Sequence, residues 1–245
     1  MNNTAIIIPS RLSAQRLPNK PLKLINNKEM IVHVYEAAVK SNVGEVFVAT
    51  PDEKIIETIN KIGGKAIITS DSHKTGTDRI FEVFSNSLKE KPETIINLQG
   101  DMPNISSDAI AGLAEYMSKD KCDIATLASD LNPETDYENP NVVKVTISED
   151  FSGKFKNALD FFRIDKSLKK NVYHHIGIYG FTNDSLLRYV KLKRSKLELE
   201  RKLEQLRALE NGMSIHVGYI KSPPLSVDTE DDLIKIKQLI ENEKK

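Results

Sequence analysis

The chain has 245 residues, 39% of them hydrophobic, and its 35 basic and 35 acidic side chains give a net charge of +0 at pH 7. That length supports a substantial core in one domain, or in one domain with a lobe. The charge balance argues against a nucleic-acid-binding protein, and no apolar stretch approaches the ~20 residues of a membrane span. The single cysteine, Cys122, excludes an internal disulfide, so we expect a soluble, cytoplasmic protein.

The apolar run Ala5–Ile8 predicts a buried first strand, and a basic loop follows it at once. This basic loop, residues 9–22, carries Arg11, Arg16 and Lys20. Open α/β sheets bind ligands at the carboxyl ends of their strands, and Arg and Lys side chains suit phosphate oxygens. The loop has neither a Walker phosphate-loop motif nor the glycine fingerprint of dinucleotide folds. The sequence therefore predicts an anionic ligand bound by a protein outside those two classes.

Strand and helix patterns alternate through the first half of the chain. The predicted helices cover 29–41, 52–62 and 78–90, with a further helix from 107 to about 117, and the predicted strands cover 46–49, 66–69 and 95–98. Such alternation predicts an α/β fold with a doubly wound, mostly parallel sheet, because parallel strands need crossover helices.

In the second half, strands are predicted at 123–128, 142–147, 175–181 and 215–220. The polar, Lys-rich stretch at about 149–175 predicts a flap or lobe within a single domain that covers 1–245. Ser195 with Glu198 forms a capping-box pattern, which predicts the start of a long helix that ends at Gly212. A last helix is predicted from Thr229.

Two aspartates are candidate metal ligands. Asp101 follows a predicted strand in the segment Gln99-Gly100-Asp101, and Asp228 precedes the last helix. Mg²⁺ is usually held by one or two carboxylates, while phosphates and waters complete its shell. The alternative is that Asp101 is a turn or cap residue and that Asp228 interacts with the helix dipole. Gly100 favours a ligand site, since a residue without Cβ allows close approach of the backbone.

Several separated blocks occur in one order along nearly the whole chain. They are RLSAQRLPNKPL (11–22), MIVHVYEAA (30–38), GTDRI (76–80), INLQGD (96–101), NPNVVKV (139–145), HIGIYGF (175–181), LEQLRALENG (203–212) and SVDTEDDL (226–233). In these blocks the chain resembles the 3-deoxy-manno-octulosonate cytidylyltransferases, the CMP-Kdo synthetases. Blocks in a fixed order are much more specific than any single motif.

The resemblance implies transfer of CMP from CTP to the anomeric hydroxyl of an acidic eight-carbon sugar (Kdo), with release of pyrophosphate, for lipopolysaccharide biosynthesis. It implies a homodimer that uses Mg²⁺. The implied catalytic residues are Arg11, Lys20, Asp101 and Asp228, of which the two aspartates hold the metal. The implied nucleotide-binding residues are Pro9, Arg11, Ser13, Arg16, Lys20, Arg79, Gln99 and Asp101. The implied sugar-binding residues are Gln99, Arg163, His175, Tyr179, Glu204 and Gln205.

This chain departs from the family pattern at three places. Asn19 stands where glycine is usual, and it tolerates a left-handed backbone better than most residues. Met102 stands where glutamate is common. The stretch around Arg163 lacks its usual prolines, which weakens the assignment of Arg163 most.

Other functions remain open at this point. The same chemistry could act on another acidic sugar, such as 8-amino-Kdo, or the chain could be a non-catalytic sugar-nucleotide binding protein. A glycosyltransferase is less favoured, because the chain has Gln99-Gly100-Asp101 where such sheets commonly use D-x-D. Without the resemblance, His175 is also compatible with a structural strand histidine, and Tyr179 with a ring at the edge of the core.

Overall fold

The computed structural model describes residues 3–13, 16–120, 122–132, 134–151, 155–164 and 170–242. In chain order, its strands are β1 (Thr4–Pro9), β2 (Leu24–Ile25), β3 (Lys28–Glu29), β4 (Glu45–Thr50), β5 (Ala66–Ile68), β6 (Thr94–Leu98), β7 (Ile124–Ser129), β8 (Lys144–Ile147), β9 (Lys156–Phe162), β10 (Val172–Thr182) and β11 (Ile215–Tyr219). Its helices are α1 (Met30–Lys40), α2 (Glu53–Lys61), α3 (Gly76–Asn86), α4 (Ser107–Lys119), α5 (Asn183–Lys191), α6 (Lys196–Arg201), α7 (Gln205–Glu210) and α8 (Glu230–Asn242). No helix in the described ranges is both long and apolar enough to cross a membrane.

The chain divides into two compact units, of which the first comprises Met1–Ala114 and Pro224–Lys245. Its strands pair in the order β5, β4, β1, β6, and each of these pairs is parallel. Ile6, Ile7 and Ile8 of β1 are completely buried, as expected for a parallel strand that has other elements packed on both faces. The hairpin of β2 and β3 turns at Asn26 and Asn27, which both have a positive φ.

The strand order of the first unit locates its ligand crevice. The chain moves outward from β1 to β4 and β5, and then returns to place β6 on the other side of β1. Ligands of open α/β sheets bind where the order reverses, outside the carboxyl ends of the strands. Two loops lie at this point. The basic loop follows β1, and the Gln99–Asp101 turn follows β6.

The second unit, Glu115–Pro223, has a different sheet. Its strands pair in the order β10, β7, β11, β9, β8, and β10 also pairs with β8, so the sheet of this unit closes on itself. Only the pairing of β11 with β7 is parallel among the described pairs of this unit. The α/β class is thus confirmed, while these antiparallel pairs differ from the mostly parallel arrangement that alternation predicted.

Most predicted elements lie within a few residues of the observed ones, with three differences. The helix predicted from Ser195 to Gly212 is interrupted, because Lys202 adopts a left-handed backbone (φ 55°) between α6 and α7. α5 was not predicted; the Thr182 side chain caps it by accepting from the Ser185 N–H. The predicted flap at 149–175 contains β9 and the start of β10, and its residues 152–154 and 165–169 lie outside the described ones.

Candidate active site

The described part of the basic loop is fastened to its surroundings near its start and near its middle. Near its start, the Leu12 N–H donates to Asp52 Oδ2 at 2.8 Å. Near its end, Asn19 has φ 56°, so the left-handed conformation expected at this position is confirmed. Between them, Leu17 is 3% exposed and packs in a buried cluster with Val227 and residues of α8. This packing brings the segment before α8 against the basic loop.

The side chain at the centre of the site is Lys20. Its ammonium donates to Asp101 Oδ2 at 2.9 Å and to Asp228 Oδ1 at 3.0 Å, although the two aspartates are 127 residues apart in the chain. The Arg16 guanidinium contacts the other oxygen of Asp228 at 3.0 Å. Four of the residues predicted to bind the nucleotide or the metal therefore converge: Arg16, Lys20, Asp101 and Asp228.

Backbone contacts fix the two aspartates, here called the acidic pair. The Val227 N–H donates to the Asp101 carbonyl oxygen at 2.9 Å, which ties the segment before α8 to the turn after β6. A capping box opens α8, because Asp232 accepts from the Thr229 N–H and hydroxyl, while Thr229 Oγ1 accepts from the Asp232 N–H. Asp228 gives only its backbone N–H to this cap, so its carboxylate is free to face Lys20.

The charge of Lys20 is held in place by its neighbours. Burial by itself lowers the pKa of Lys20, but the charges of Asp101 and Asp228 and the hydrogen bonds to them outweigh burial and raise that pKa above its ordinary value. Lys20 is therefore a fixed cation. Because one cation contacts both carboxylates, the two oxygens lie no farther apart than the sum of the two distances, 5.9 Å.

The donor set of the acidic pair fits a magnesium ion. Two carboxylates facing one cation are the usual protein contribution to such a site, since nucleotide phosphates and waters supply the other oxygens. In the structure, both carboxylates contact the Lys20 ammonium. Within the described residues, no group of three or more His, Cys, Asp and Glu side chains gathers into a metal site, so the fit rests on the acidic pair alone.

The other residues predicted to bind the nucleotide surround the same strand ends. Pro9 ends β1, while Arg11 and Ser13 are exposed in the basic loop. Arg79 is 3% exposed and donates to Thr69 Oγ1 at 2.6 Å and to the Ser70 carbonyl at 3.0 Å. Burial, followed by the nearby charge of Arg11, lowers the pKa of Arg79. The contacts of Arg79 thus hold the loop before α3, and its role toward a nucleotide stays a prediction.

The turn after β6 is held tightly against β1. A Cβ added to Gly100 would lie 3.3 Å from the Pro9 carbonyl oxygen and 3.2 Å from Ile31 Cδ1. The close approach that glycine permits here is therefore to the protein's own chain, whereas we expected it to serve a ligand. Gln99 donates to Asn97 Oδ1 at 3.1 Å. These contacts hold the turn against β1 and so position Asp101.

The second unit contains four of the residues predicted to bind the sugar: His175, Tyr179, Glu204 and Gln205. The rings of His175 and Tyr179 lie 5.5 Å apart on β10. Burial, with a contribution from the charge of Glu204, raises the pKa of Tyr179 well above its ordinary value, so this hydroxyl stays protonated. The Glu204 backbone is fixed by the Tyr189 hydroxyl, which donates to its carbonyl at 2.9 Å, and Gln205 begins α7.

Arg163 has contacts to a different segment. Its guanidinium donates to the Pro140 carbonyl at 2.8 Å, and its own carbonyl accepts from Lys144. A role in sugar binding for Arg163 stays a prediction.

Sequence reasoning missed the polar groups that hold the predicted sugar site in shape. Glu198 is completely buried and accepts from Arg207 at 2.6 and 2.9 Å, and the guanidinium of Arg207 lies 4.7 Å from the centre of the Tyr189 ring. Thr126 is completely buried in β7 beside His175. The available signal was a polar side chain within an otherwise apolar strand or helix face.

A parallel sheet with a basic loop and a carboxylate pair where its strand order reverses is the arrangement expected of an α/β protein that binds an anionic ligand such as a nucleotide. Comparison with known proteins narrows the class. The family model described as cytidylyltransferase matches residues 5–215. Two relatives named 3-deoxy-manno-octulosonate cytidylyltransferase, from Rhodopseudomonas palustris and Thermodesulfovibrio yellowstonii, are 43% and 41% identical and cover 94% of this chain and 94% and 95% of their own lengths.

Solved structures agree with this classification. A CMP:2-keto-3-deoxy-manno-octonic acid synthetase complexed with CTP is 36% identical, covers 98% of this chain and 99% of its own, and superposes with a TM-score of 0.87. A nucleotidyl transferase from Methanothermobacter, 13% identical with a TM-score of 0.65 and 98% coverage of both chains, shows the fold alone. The chain belongs to the cytidylyltransferase family, among the 3-deoxy-manno-octulosonate cytidylyltransferases, which confirms the resemblance seen in the sequence.

Proposed function

We propose that this protein transfers CMP from CTP to 3-deoxy-manno-octulosonate, and that it uses Mg²⁺ held by Asp101 and Asp228. The observation that carries the proposal is the convergence of these two carboxylates on Lys20 at the switch point of the first unit. The family supplies the substrates, since the relatives are named for them. The doubly wound part of the sheet would then be the nucleotide-binding part.

In the proposed reaction, the anomeric oxygen of the sugar bonds to the α-phosphorus of CTP. The bond from that phosphorus to the β-phosphate oxygen breaks, pyrophosphate leaves, and the hydroxyl proton is lost. Charge develops on the α-phosphate oxygens and on the departing pyrophosphate. Arg11, Arg16 and Lys20 stabilise that charge, because preorganised cations at the point of charge development lower the barrier.

The ion pairs of the site suggest that metal binding and nucleotide binding are coupled. Arg16 and Lys20 carry two positive charges and the acidic pair two negative ones, and ion pairs join all four side chains. Lys20 therefore cannot turn fully to a phosphate unless another cation neutralises Asp101 and Asp228. When bound, Mg²⁺ would be held by Asp101 and Asp228, would supply that charge, and would lower the pKa of the sugar hydroxyl. We expect metal and nucleotide to bind together, each strengthening the other.

Calorimetry tests this coupling. CTP titrated into the protein with Mg²⁺ should bind more tightly than CTP titrated with the metal chelated, and Mg²⁺ alone should bind weakly. The same titrations with Asp231→Asn provide a matched control, since Asp231 is an exposed carboxylate in the first turn of α8. Equal CTP affinity with and without Mg²⁺ would contradict the role assigned to the acidic pair.

A panel of acidic sugars tests the substrate. Pyrophosphate release should be fastest with 3-deoxy-manno-octulosonate, in the presence of CTP and Mg²⁺. Faster release with 8-amino-Kdo or another acidic sugar would show that this sugar is the preferred substrate, while the proposed CMP transfer would be unchanged. CTP binding without release from any sugar would support a binding protein instead.

We also propose a cytoplasmic homodimer that serves lipopolysaccharide assembly, as the family implies. Sedimentation of the purified protein tests the dimer, and a single monomeric species at working concentration would overturn it.

A further inference from the structure

A buried threonine hydroxyl contacts three polar atoms at an irregularity in the sheet of the second unit. On β10, Ile176 pairs with Leu127, whereas Tyr179 pairs with the next residue, Thr126, so Gly177 and Ile178 bulge out of the register. The bulge leaves the carbonyls of Ile176 and Ile178 close to Thr126. The distances from Thr126 Oγ1 are 2.7 Å to the Ile178 oxygen, 3.1 Å to the Ile176 oxygen and 3.0 Å to His175 Nε2.

Counting hydrogens at this hydroxyl assigns the tautomer of His175. The hydroxyl has one hydrogen, and both carbonyl oxygens can only accept, so the hydrogen points to a carbonyl. If Nε2 were bare, Thr126 Oγ1 would face three acceptors with a single hydrogen. If Nε2 carries a hydrogen, that hydrogen points to a lone pair of Oγ1, and only the two carbonyl oxygens share the hydroxyl hydrogen. Nε2 is therefore the protonated nitrogen, and in a neutral ring Nδ1 is bare.

The His175 ring is neutral and fixed in position. Burial, followed by the charge of His174, lowers the pKa of His175 to about 3. The Phe161 ring packs edge-on against it at 5.0 Å and the Tyr179 ring lies at 5.5 Å, measured between ring centres. Among the residues that the structure describes, none forms a hydrogen bond with Nδ1. Nδ1 is thus a fixed, neutral acceptor without a donor in the described part of the chain.

We propose that Thr126 is a positioning residue for sugar recognition: its hydroxyl keeps His175 in the Nε2–H tautomer, so that Nδ1 accepts a hydrogen bond from a hydroxyl group of the sugar. A bare nitrogen accepts a hydrogen bond from a hydroxyl and repels a carboxylate. His175 therefore recognises one of the hydroxyl groups of the sugar, and the carboxylate of the sugar needs another partner. This inference rests on the proposed function, because the sugar is the ligand that supplies the hydroxyl.

Two substitutions of Thr126 separate this role from a purely structural one. Thr126→Val keeps the shape and removes the hydroxyl, whereas Thr126→Ser keeps the hydroxyl. We expect Thr126→Val to raise the KM for the sugar about 10-fold or more, because the buried Nε2–H of His175 would lose its acceptor. The KM for CTP should change by less than about twofold. Thr126→Ser should behave like the wild type.

Nitrogen NMR of the free protein tests the tautomer without any substrate. In wild type and Thr126→Ser, the ¹⁵N shifts of His175 should show a protonated Nε2 and a bare Nδ1, and His175→Gln identifies the signals by their loss. A wild-type His175 protonated at Nδ1, or a folded Thr126→Val with unchanged KM for the sugar, would overturn the proposal. Wild type that releases no pyrophosphate with any sugar would refute the proposed function instead, and the NMR result would still decide the tautomer.

Discussion

Removal of either charge of the acidic pair should nearly abolish turnover. Asp101→Asn and Asp228→Asn keep the size of each side chain and one oxygen, but each removes a negative charge. A helix cap would tolerate this exchange, because Asn and Asp are about equally good at cap positions. A metal ligand would not tolerate it.

The structure sets the expected magnitude. The side chains of Asp101 and Asp228 are 26% and 33% exposed, so they lie close to the surface but are partly shielded from water. Two unit charges about 4 Å apart in such a setting interact by about 4 kcal/mol, which corresponds to roughly a 10³-fold change in rate. Because both carboxylates contact the one Lys20 ammonium, we expect them to act as a unit, and the double variant should be little slower than either single one.

The assay is kcat measured against Mg²⁺ concentration for the two single variants, the double variant and Asp231→Asn. Circular dichroism confirms that each variant is folded. The single variants should need more Mg²⁺ and stay slow at saturation, while Asp231→Asn should match the wild type. Near-normal rates and magnesium dependence in Asp228→Asn would refute the shared-metal reasoning and leave Asp228 as a helix-end carboxylate.

Three further predictions follow from the same geometry. Lys20→Met should lower kcat by about 10²–10³-fold while the protein stays folded. Lys23→Met, which removes an ion pair of 3.6 Å with Glu230, should leave kcat unchanged. An unchanged kcat in Lys20→Met would indicate that the basic loop is only a solvated turn. CTP should be preferred over ATP and GTP at fixed sugar, and equal rates with ATP would show the base assignment to be wrong. Since the folded state holds the pKa of His175 near 3, below the ~6.5 of the unfolded chain, His175 should reduce stability as the pH falls from about 6.5 toward 3, by at most about 1.4 kcal/mol per unit. Urea unfolding at several pH values gives the free energy of unfolding as a function of pH. This free energy should fall less steeply with decreasing pH for His175→Gln than for the wild type, and an equal pH dependence would contradict the prediction.

The sequence predicted which charges matter, but not how they pair. The basic loop and Asp101 were expected at one edge because they follow neighbouring strands of a parallel sheet, and such strands end together. Lys20 was expected to face phosphates, whereas the structure pairs it with both aspartates. That pairing depends on long-range contacts, above all the packing of Leu17 with Val227, which no local pattern encodes.

The interrupted helix shows the same limit in the second unit. The capping pattern at Ser195 was interpreted correctly, since its N–H donates to Glu198 Oε2 at 3.1 Å. One helix was predicted to continue to Gly212, yet Leu199 is 53% exposed while Leu203 is buried. A break at Lys202 lets Arg207 reach back to the buried Glu198. The tertiary ion pair outweighs local helix propensity, and a single sequence does not reveal that contact.

The product of the reaction tests the central claim most directly. Wild-type protein, CTP, Mg²⁺ and 3-deoxy-manno-octulosonate should give CMP joined to the sugar and an equal amount of pyrophosphate, detected by mass spectrometry and by a pyrophosphate assay. Asp231→Asn should give the same products, and Asp228→Asn should give almost none. Folded wild-type protein that forms no CMP-sugar under these conditions would contradict the account.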